Sequence, residues 1–125
     1  MKKINLDEIL LIHEQMIDTF GGTNGIRDKK LLESAIQSPY HTYSGIDIFN
    51  SIEEKAARLG FGIIKNHPFI DGNKRTGIHC MLLLLLINDI DLNYSQKELW
   101  EIALKIAHNG TYEDLLEWIE SHKNF

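Results

Sequence analysis

Hydrophobic residues recur at three- and four-residue intervals along most of this chain, a spacing typical of amphipathic helices. Residues whose side chains cap helix starts precede these segments, and Gly or Pro follows several of them. The pattern predicts six helices, bounded by Asn5 and Gly21, Asp28 and Pro39, Ser51 and about Asn66, Asn73 and about Asn88, Ser95 and Asn109, with the sixth opening at Thr111.

Residues 39–50 lack this spacing and carry aromatic and β-branched side chains, so they predict an extended flap, with a short hairpin as one form. The most apolar run, residues 81–87, is far shorter than the ~20 residues that span a membrane, and it predicts a buried central helix. The pattern therefore predicts an all-α fold of about six helices around a central apolar helix, with one domain over residues 1–125.

Composition limits the possible functions. The net charge of −5, from 13 basic and 18 acidic residues, argues against DNA binding by this chain alone, because such binding relies on neutralised phosphates. Any phosphate site must be a small local cluster of cations. A single cysteine, Cys80, and the lack of an apolar leader after Met1 indicate a reducing, cytoplasmic location without membrane association.

The segment HPFIDGNKRTG, residues 67–77, contains that cluster and leads into the predicted central helix. The first N–H groups of a helix lack partners and lie at the positive end of its dipole, which makes an anion site. Gly72 lets the backbone approach a ligand closely. Asn73 could cap the helix or donate its amide to a phosphate oxygen, and Lys74 and Arg75 supply positive charge.

Two further residues of the segment suggest catalysis. His67 is a candidate general base, and Asp71 is a candidate Mg²⁺ ligand. Together they predict phosphoryl or nucleotidyl transfer. Each residue alone has an ordinary structural explanation, such as a turn at Asp71-Gly72, so their joint occurrence carries the prediction.

The segment resembles the signature of the Fic/Doc family, H-P-F-x-[D/E]-G-N-[G/K]-R. Residues 21–36, GGTNGIRDKKLLESAI, are similar to the N-terminal region of its Doc, or death-on-curing, branch. This resemblance implies the Fic/Doc fold, ATP as co-substrate and a flap that aligns the target chain. It also implies roles for individual residues: His67 as the base for a target hydroxyl, Asp71 as the Mg²⁺ ligand, Gly72, Asn73 and Arg75 as nucleotide-phosphate ligands, and Phe69 as the buried anchor of the loop.

Lys74 distinguishes the two branches of the family. In the Fic branch this position is glycine and AMP is transferred, whereas in the Doc branch it is lysine and the γ-phosphoryl group is transferred. Ile78 stands where the AMP-transferring branch has a second arginine. The resemblance therefore implies an ATP-dependent protein kinase. AMP transfer stays open as the alternative, because Pro68 and Gly72 are closer to the Fic form.

The resemblance also implies partners. No Ser or Thr precedes a Glu by four positions, so the inhibitory helix of the Fic branch is not expected here. The Doc branch is instead neutralised by an antitoxin, whose helix occupies a groove on the toxin. Its known target is elongation factor Tu, so the implied substrate is a translation factor and the implied effect is arrest of translation. A catalytically silent binding module is a third interpretation.

The remaining unusual side chains have structural explanations. Trp100 and Trp118 are expected in the core or along a groove, Cys80 is expected to be a buried thiol, and His13 and His79 are expected to be structural. The histidines show no spacing typical of zinc ligands, and no zinc site is predicted.

Overall fold

Six α-helices and one short hairpin form the fold over residues 1–124, the part of the chain that a computed structural model describes. In chain order the elements are α1 (Leu6–Phe20), α2 (Lys29–Gln37), a 3₁₀ turn (Ser38–Tyr40), β1 (Thr42–Tyr43), β2 (Ile46–Asp47), α3 (Ile52–Asn66), α4 (Asn73–Ile87), α5 (Gln96–His108) and α6 (Tyr112–Ser121). The predicted all-α fold with a short flap is confirmed.

Local capping sets the helix starts, which is why the sequence located them well. The Asn5 side chain accepts a hydrogen bond from the Glu8 N–H at 2.9 Å, and Glu8 bonds back to the Asn5 N–H. The same reciprocal pair opens α3, α5 and α6. Each such box satisfies two backbone donors that a helix start leaves without partners.

The end of α2 differs from the prediction. Pro39 does not stop the chain's helical turn but lies inside the 3₁₀ turn that follows α2. A proline is tolerated in the first turn of a helix because its missing N–H would have no partner there. The Ser38 hydroxyl also donates to the Ala35 carbonyl at 3.1 Å, which holds this turn against α2. The extended flap therefore begins at His41 rather than at Pro39.

The predicted hairpin is present after that turn. Strand β1 pairs antiparallel with β2, with Thr42 opposite Asp47 and Tyr43 opposite Ile46. The two turn residues, Ser44 and Gly45, both have positive φ, at 52° and 77°. This combination is typical of the tight two-residue turns that match the twist of paired strands.

Helix α4 lies at the centre, and one hydrophobic cluster links it to all five other helices. Met81, Leu84 and Leu85 are fully buried, as predicted for the apolar run. Leu86 is 59% exposed, because the side chains of a helix point in all directions around its axis and one face of α4 reaches solvent. Cys80 is buried as expected, and burial raises the pKa of its thiol to about 12.

Two glycines let the backbones of α3 and α4 approach closely. A Cβ atom at Gly77 would lie 2.8 Å from Cγ1 of Ile64 and 3.0 Å from the carbonyl oxygen of Gly60. A Cβ atom at Gly60 would lie 3.1 Å from Cβ of Met81. This contact fixes where α3 ends relative to where α4 begins, and the loop between them is the predicted site.

No helix among residues 1–124 combines the length and the apolar character needed to cross a membrane.

Gly77→Ala tests this helix contact. Alanine favours a helix over glycine by about 1 kcal/mol, yet overpacking against Ile64 and Gly60 should lower the free energy of unfolding by a net ~1–3 kcal/mol. Urea unfolding measures the change. The control, Ser34→Ala on the exposed face of α2, should stay within about 0.5 kcal/mol. A Gly77→Ala protein at least as stable as wild type would contradict the close contact.

Candidate functional site

The loop between α3 and α4, residues 67–72, begins and ends on a residue with left-handed backbone geometry. His67 has φ 52° and ψ 52°, and Gly72 has φ 80° and ψ 15°. Glycine adopts this region freely, whereas for histidine it costs roughly 1–2 kcal/mol. A Cβ at Gly72 would also lie 3.2 Å from Cδ1 of Ile17 on α1. The backbone conformation thus favours glycine at position 72, and any side chain there would also crowd Ile17.

A cavity of about 310 Å³ lies between this loop and α5. The candidate catalytic, metal and phosphate residues all border it: His67, Asp71, Gly72, Asn73, Lys74 and Arg75. Ile64, Trp100 and Ala107 complete its wall. The candidate base, the candidate metal ligand and the cations therefore share one cavity. Phe69 does not border it and is fully buried behind the loop.

The start of α4 forms one end of the cavity, and its backbone geometry favours an anion there. The Thr76 N–H donates to the Gly72 carbonyl at 2.9 Å, so the N–H groups of residues 73–75 precede the first intrahelical bond. The first turn of α4 carries no Asp or Glu, and Gly72 provides no capping side chain. Nothing in this turn neutralises the positive helix end, which leaves it for an anionic ligand.

The Asn73 side chain was expected either to cap α4 or to point at a phosphate, and its observed hydrogen bonds differ from both. It does not cap α4, because Gly72 occupies the N-cap position. The Phe69 N–H donates to Oδ1 of Asn73 at 2.9 Å, and Nδ2 of Asn73 donates to the Phe69 carbonyl at 3.0 Å. The side chain is buried and each of its polar atoms makes one hydrogen bond to Phe69, so it closes the loop.

Arg75 is held between two aromatic rings. Its guanidinium carbon lies 4.1 Å from the ring centre of Phe20 and 4.8 Å from that of Trp100. These cation–π contacts restrict the planar group at the cavity wall, where it can bond two phosphate oxygens. Trp100 lines the site and orients a cation, a role that its place on α5 did not indicate. Lys74 is exposed at the same wall.

Asp71 is positioned by α1 and by the segment after it. Its Oδ2 accepts a hydrogen bond from the Thr23 N–H at 2.8 Å, and its carbonyl accepts one from Nε2 of His13 at 2.8 Å. The His13 ring also stacks on Phe69, with centres 3.8 Å apart and planes 8° apart. His13 is buried, as expected, but its contact with the loop was missed. The only sequence signal was a histidine on an apolar helix face.

Residues 21–28 form a strap along the loop, which the sequence did not predict. The Ile70 N–H donates to the Gly25 carbonyl at 3.0 Å, and the Arg27 N–H donates to the Pro68 carbonyl at 2.7 Å. Gly21, Gly22 and Gly25 all have positive φ, so this path needs their freedom. The strap therefore holds the loop at Pro68 and Ile70.

The donor set suits a magnesium ion that arrives with phosphates. Within residues 1–124 no group of three or more His, Cys, Asp or Glu side chains could hold a metal. Mg²⁺, however, commonly takes one or two carboxylates and completes its six ligands with substrate phosphates and water. A carboxylate has about four acceptor positions, so the bond from Thr23 leaves Asp71 with capacity for a cation.

Comparison with known proteins agrees with this geometry. A model of the Fic/DOC family matches residues 3–85, which include the strap, the loop and nearly all of α4. The chain belongs to the Fic/DOC family.

Two relatives belong to the Doc branch of Fic/DOC proteins. "Toxin Doc" of Mycolicibacterium smegmatis is 38% identical over 73 residues, which are 58% of this chain. The matched part spans 56% of that protein's length. "Protein kinase doc" of Escherichia phage P1 is 27% identical over 107 residues, 86% of this chain and 83% of that protein. The resemblance to the Doc branch is thereby confirmed.

Asn73→Asp tests the structural role of this side chain in the Fic/DOC loop. The substitution replaces the Nδ2 donor by an acceptor facing the Phe69 carbonyl and buries a charge, so it should destabilise the fold by about 2–4 kcal/mol. Thermal unfolding measures the loss. Lys74→Ala, at the next position but exposed, is the control and should change stability by less than about 0.5 kcal/mol. Equal melting temperatures for Asn73→Asp and wild type would rule out this role.

Proposed function

We propose that this protein is a Doc-type toxin that transfers the γ-phosphoryl group of ATP to a hydroxyl group of a target protein, a translation elongation factor, and so halts translation. The observation that carries the proposal is the position of Lys74. It adds a second cation to the cavity that Arg75, the start of α4, Asp71 and His67 also line. Two relatives are named "Toxin Doc" and "Protein kinase doc", and these names support the toxin and kinase parts of the proposal.

The phosphates of ATP would bind at the start of α4. Unpaired N–H groups and the helix dipole favour negative charge there, and the Arg75 guanidinium matches two phosphate oxygens. Asp71 would hold Mg²⁺, which when bound neutralises part of the phosphate charge. Lys74 would fill the space that a glycine leaves for a phosphate in AMP-transferring relatives of this family.

His67 would then act on the target. Its imidazole would accept the proton of the target hydroxyl, whose oxygen attacks the γ-phosphorus. The bond from the γ-phosphorus to the bridging oxygen breaks, and ADP leaves with the electron pair. The products are ADP, a phosphorylated target and protonated His67, which returns its proton to solvent.

The hairpin supports a role in holding the target chain. Tyr43 and Ile46 are 78% and 68% exposed, and neither strand has a second neighbour within residues 1–124. Its base is anchored because the buried Lys55 ammonium bonds Asp47 at 3.1 Å and the Phe49 carbonyl. An exposed strand edge of this kind binds extended peptides. We infer that the target segment adds to this edge.

An antitoxin partner belongs to the same proposal. An apolar groove between α4 and α5 begins beside the site, at Trp100 and Ile78, and continues past Leu82, Leu86 and Leu99. Grooves of this composition accept the apolar face of a helix. A helix seated here would contact Arg75 and could block the cavity.

Transfer of label from ATP decides the reaction. The protein is incubated with a translation extract and ATP labelled at the α- or the γ-phosphate. Label should pass from the γ-position to a target protein and not from the α-position. Transfer of α-label alone would exclude the kinase and establish AMP transfer, the alternative.

Replacement of the proposed base tests the enzymatic role. His67→Ala should reduce γ-label transfer by about 10²–10⁴-fold, because no other imidazole borders the cavity within residues 1–124. His108→Ala, at the exposed end of α5, is the matched control and should transfer label as wild type does. If His67→Ala stops bacterial growth as fully as wild type on expression, the protein acts as a binding module and not through catalysis.

A further inference from the structure

The Arg27 side chain bonds the residues at the end of α3. Its Nε donates to the carbonyl of His67 at 2.7 Å, and its Nη2 donates to the carbonyl of Asn66 at 2.9 Å. We propose that Arg27 is a positioning residue for His67, which fixes the direction of the imidazole in the cavity. This inference rests on the proposed function only in assigning catalysis to His67.

The need for such a residue follows from where His67 lies. The last four carbonyl groups of a helix have no partners inside the helix, and they lie at the negative end of its dipole. An arginine suits this position, since its charge complements the dipole and its planar group can bond two oxygens at once. The two Arg27 bonds therefore satisfy two successive carbonyls at the end of α3.

These bonds also bear on the backbone conformation of His67. A non-glycine residue in the left-handed region keeps that conformation only where its surroundings impose it. A change to right-handed geometry would redirect the Cα–Cβ bond of His67 relative to the flanking chain, and would move the imidazole from its present place in the cavity that Asp71 and Lys74 also line. The Nε–O bond to His67 opposes this change, because rotation of the peptide group moves the carbonyl oxygen away from Arg27.

A direct role in phosphate binding fits the geometry less well. Arg27 is not among the described residues that line the cavity, whereas Arg75 is. Two of its donors already bond carbonyl oxygens. The Arg27 guanidinium therefore acts through His67 and not on the nucleotide.

The fold does not depend on this side chain. The backbone N–H groups of Arg27 and Asp28 both donate to the Pro68 carbonyl, at 2.7 Å and 3.0 Å. Those bonds remain in a side-chain variant and keep the strap against the loop. The side chain is exposed, so a shorter polar residue leaves no cavity in the core. Variants at position 27 should therefore fold and report on His67 alone.

Kinetics of Arg27→Gln and Arg27→Lys test the proposal. Arg27→Gln should lower kcat for γ-phosphoryl transfer about 10- to 100-fold, the effect of a misplaced reacting group, while KM for ATP stays within about twofold. Arg27→Lys keeps the charge and one donor group, so it should recover part of kcat. The matched control is Lys30→Gln, which removes one positive charge from the exposed face of α2 and should behave as wild type.

Carbon-13 NMR provides a second readout that needs no activity. The backbone carbon shifts of His67 differ between left-handed and right-handed geometry. They should move away from their left-handed values in Arg27→Gln, move less in Arg27→Lys, and stay unchanged in Lys30→Gln. If wild type transfers no γ-phosphate, the proposed function fails, and these shifts still decide whether Arg27 positions His67.

Two results would overturn the inference. A rise of tenfold or more in KM for ATP with unchanged kcat would make Arg27 a nucleotide ligand. His67 shifts that are identical in Arg27→Gln and wild type would show that the strap's backbone bonds alone impose the conformation.

Discussion

The contact between α3 and α4 at Gly60 and Gly77 is the constraint on which the site depends. The end of α3 carries the candidate base, and the start of α4 carries the N–H groups proposed to bind an anion. Because neither glycine has a side chain, the helix backbones approach closely and the six-residue loop between them is sufficient to join the two ends. A wider separation would place His67 too far from a phosphate bound at α4.

The loop itself is stabilised from three directions. Asn73 closes it from within through Oδ1 and Nδ2 of its amide, and His13 bonds it from α1. The strap of residues 21–28 bonds it at Pro68 and Ile70. Such support restricts backbone motion at the groups that would touch a ligand, and chemistry by positioning and charge needs this restriction. The left-handed geometry of His67 is kept only where its surroundings impose it, and the Arg27 side chain of the strap bonds the His67 carbonyl.

The charges are distributed so that an acidic chain carries a local pair of cations at the candidate phosphate site. The net charge of −5 acts against a long nucleic acid, which needs many cationic contacts. A nucleotide needs only a few, and Lys74, Arg75 and the start of α4 supply them within one turn. The aromatic rings of Phe20 and Trp100 hold Arg75 without contributing negative charge. The cavity is lined by two cations, Lys74 and Arg75, and one carboxylate, Asp71, so its formal charge is positive although that of the whole protein is −5.

Features that depend on near neighbours in the chain could be predicted without the structure. Asn5, Ser51 and Ser95 reach partners three residues away, so the helix starts could be predicted. Residues 67–75 are contiguous, so the sequence located the loop and its candidate residues. The contacts that position the site residues depend on the tertiary structure, because the two residues of each contact are distant in the chain. His13 meets Asp71 across 58 residues, and Arg27 meets His67 across 40. The Asn73 amide bonds Phe69, which is only four residues away. Its direction could still not be predicted, because it depends on how the loop packs and not on spacing in the chain.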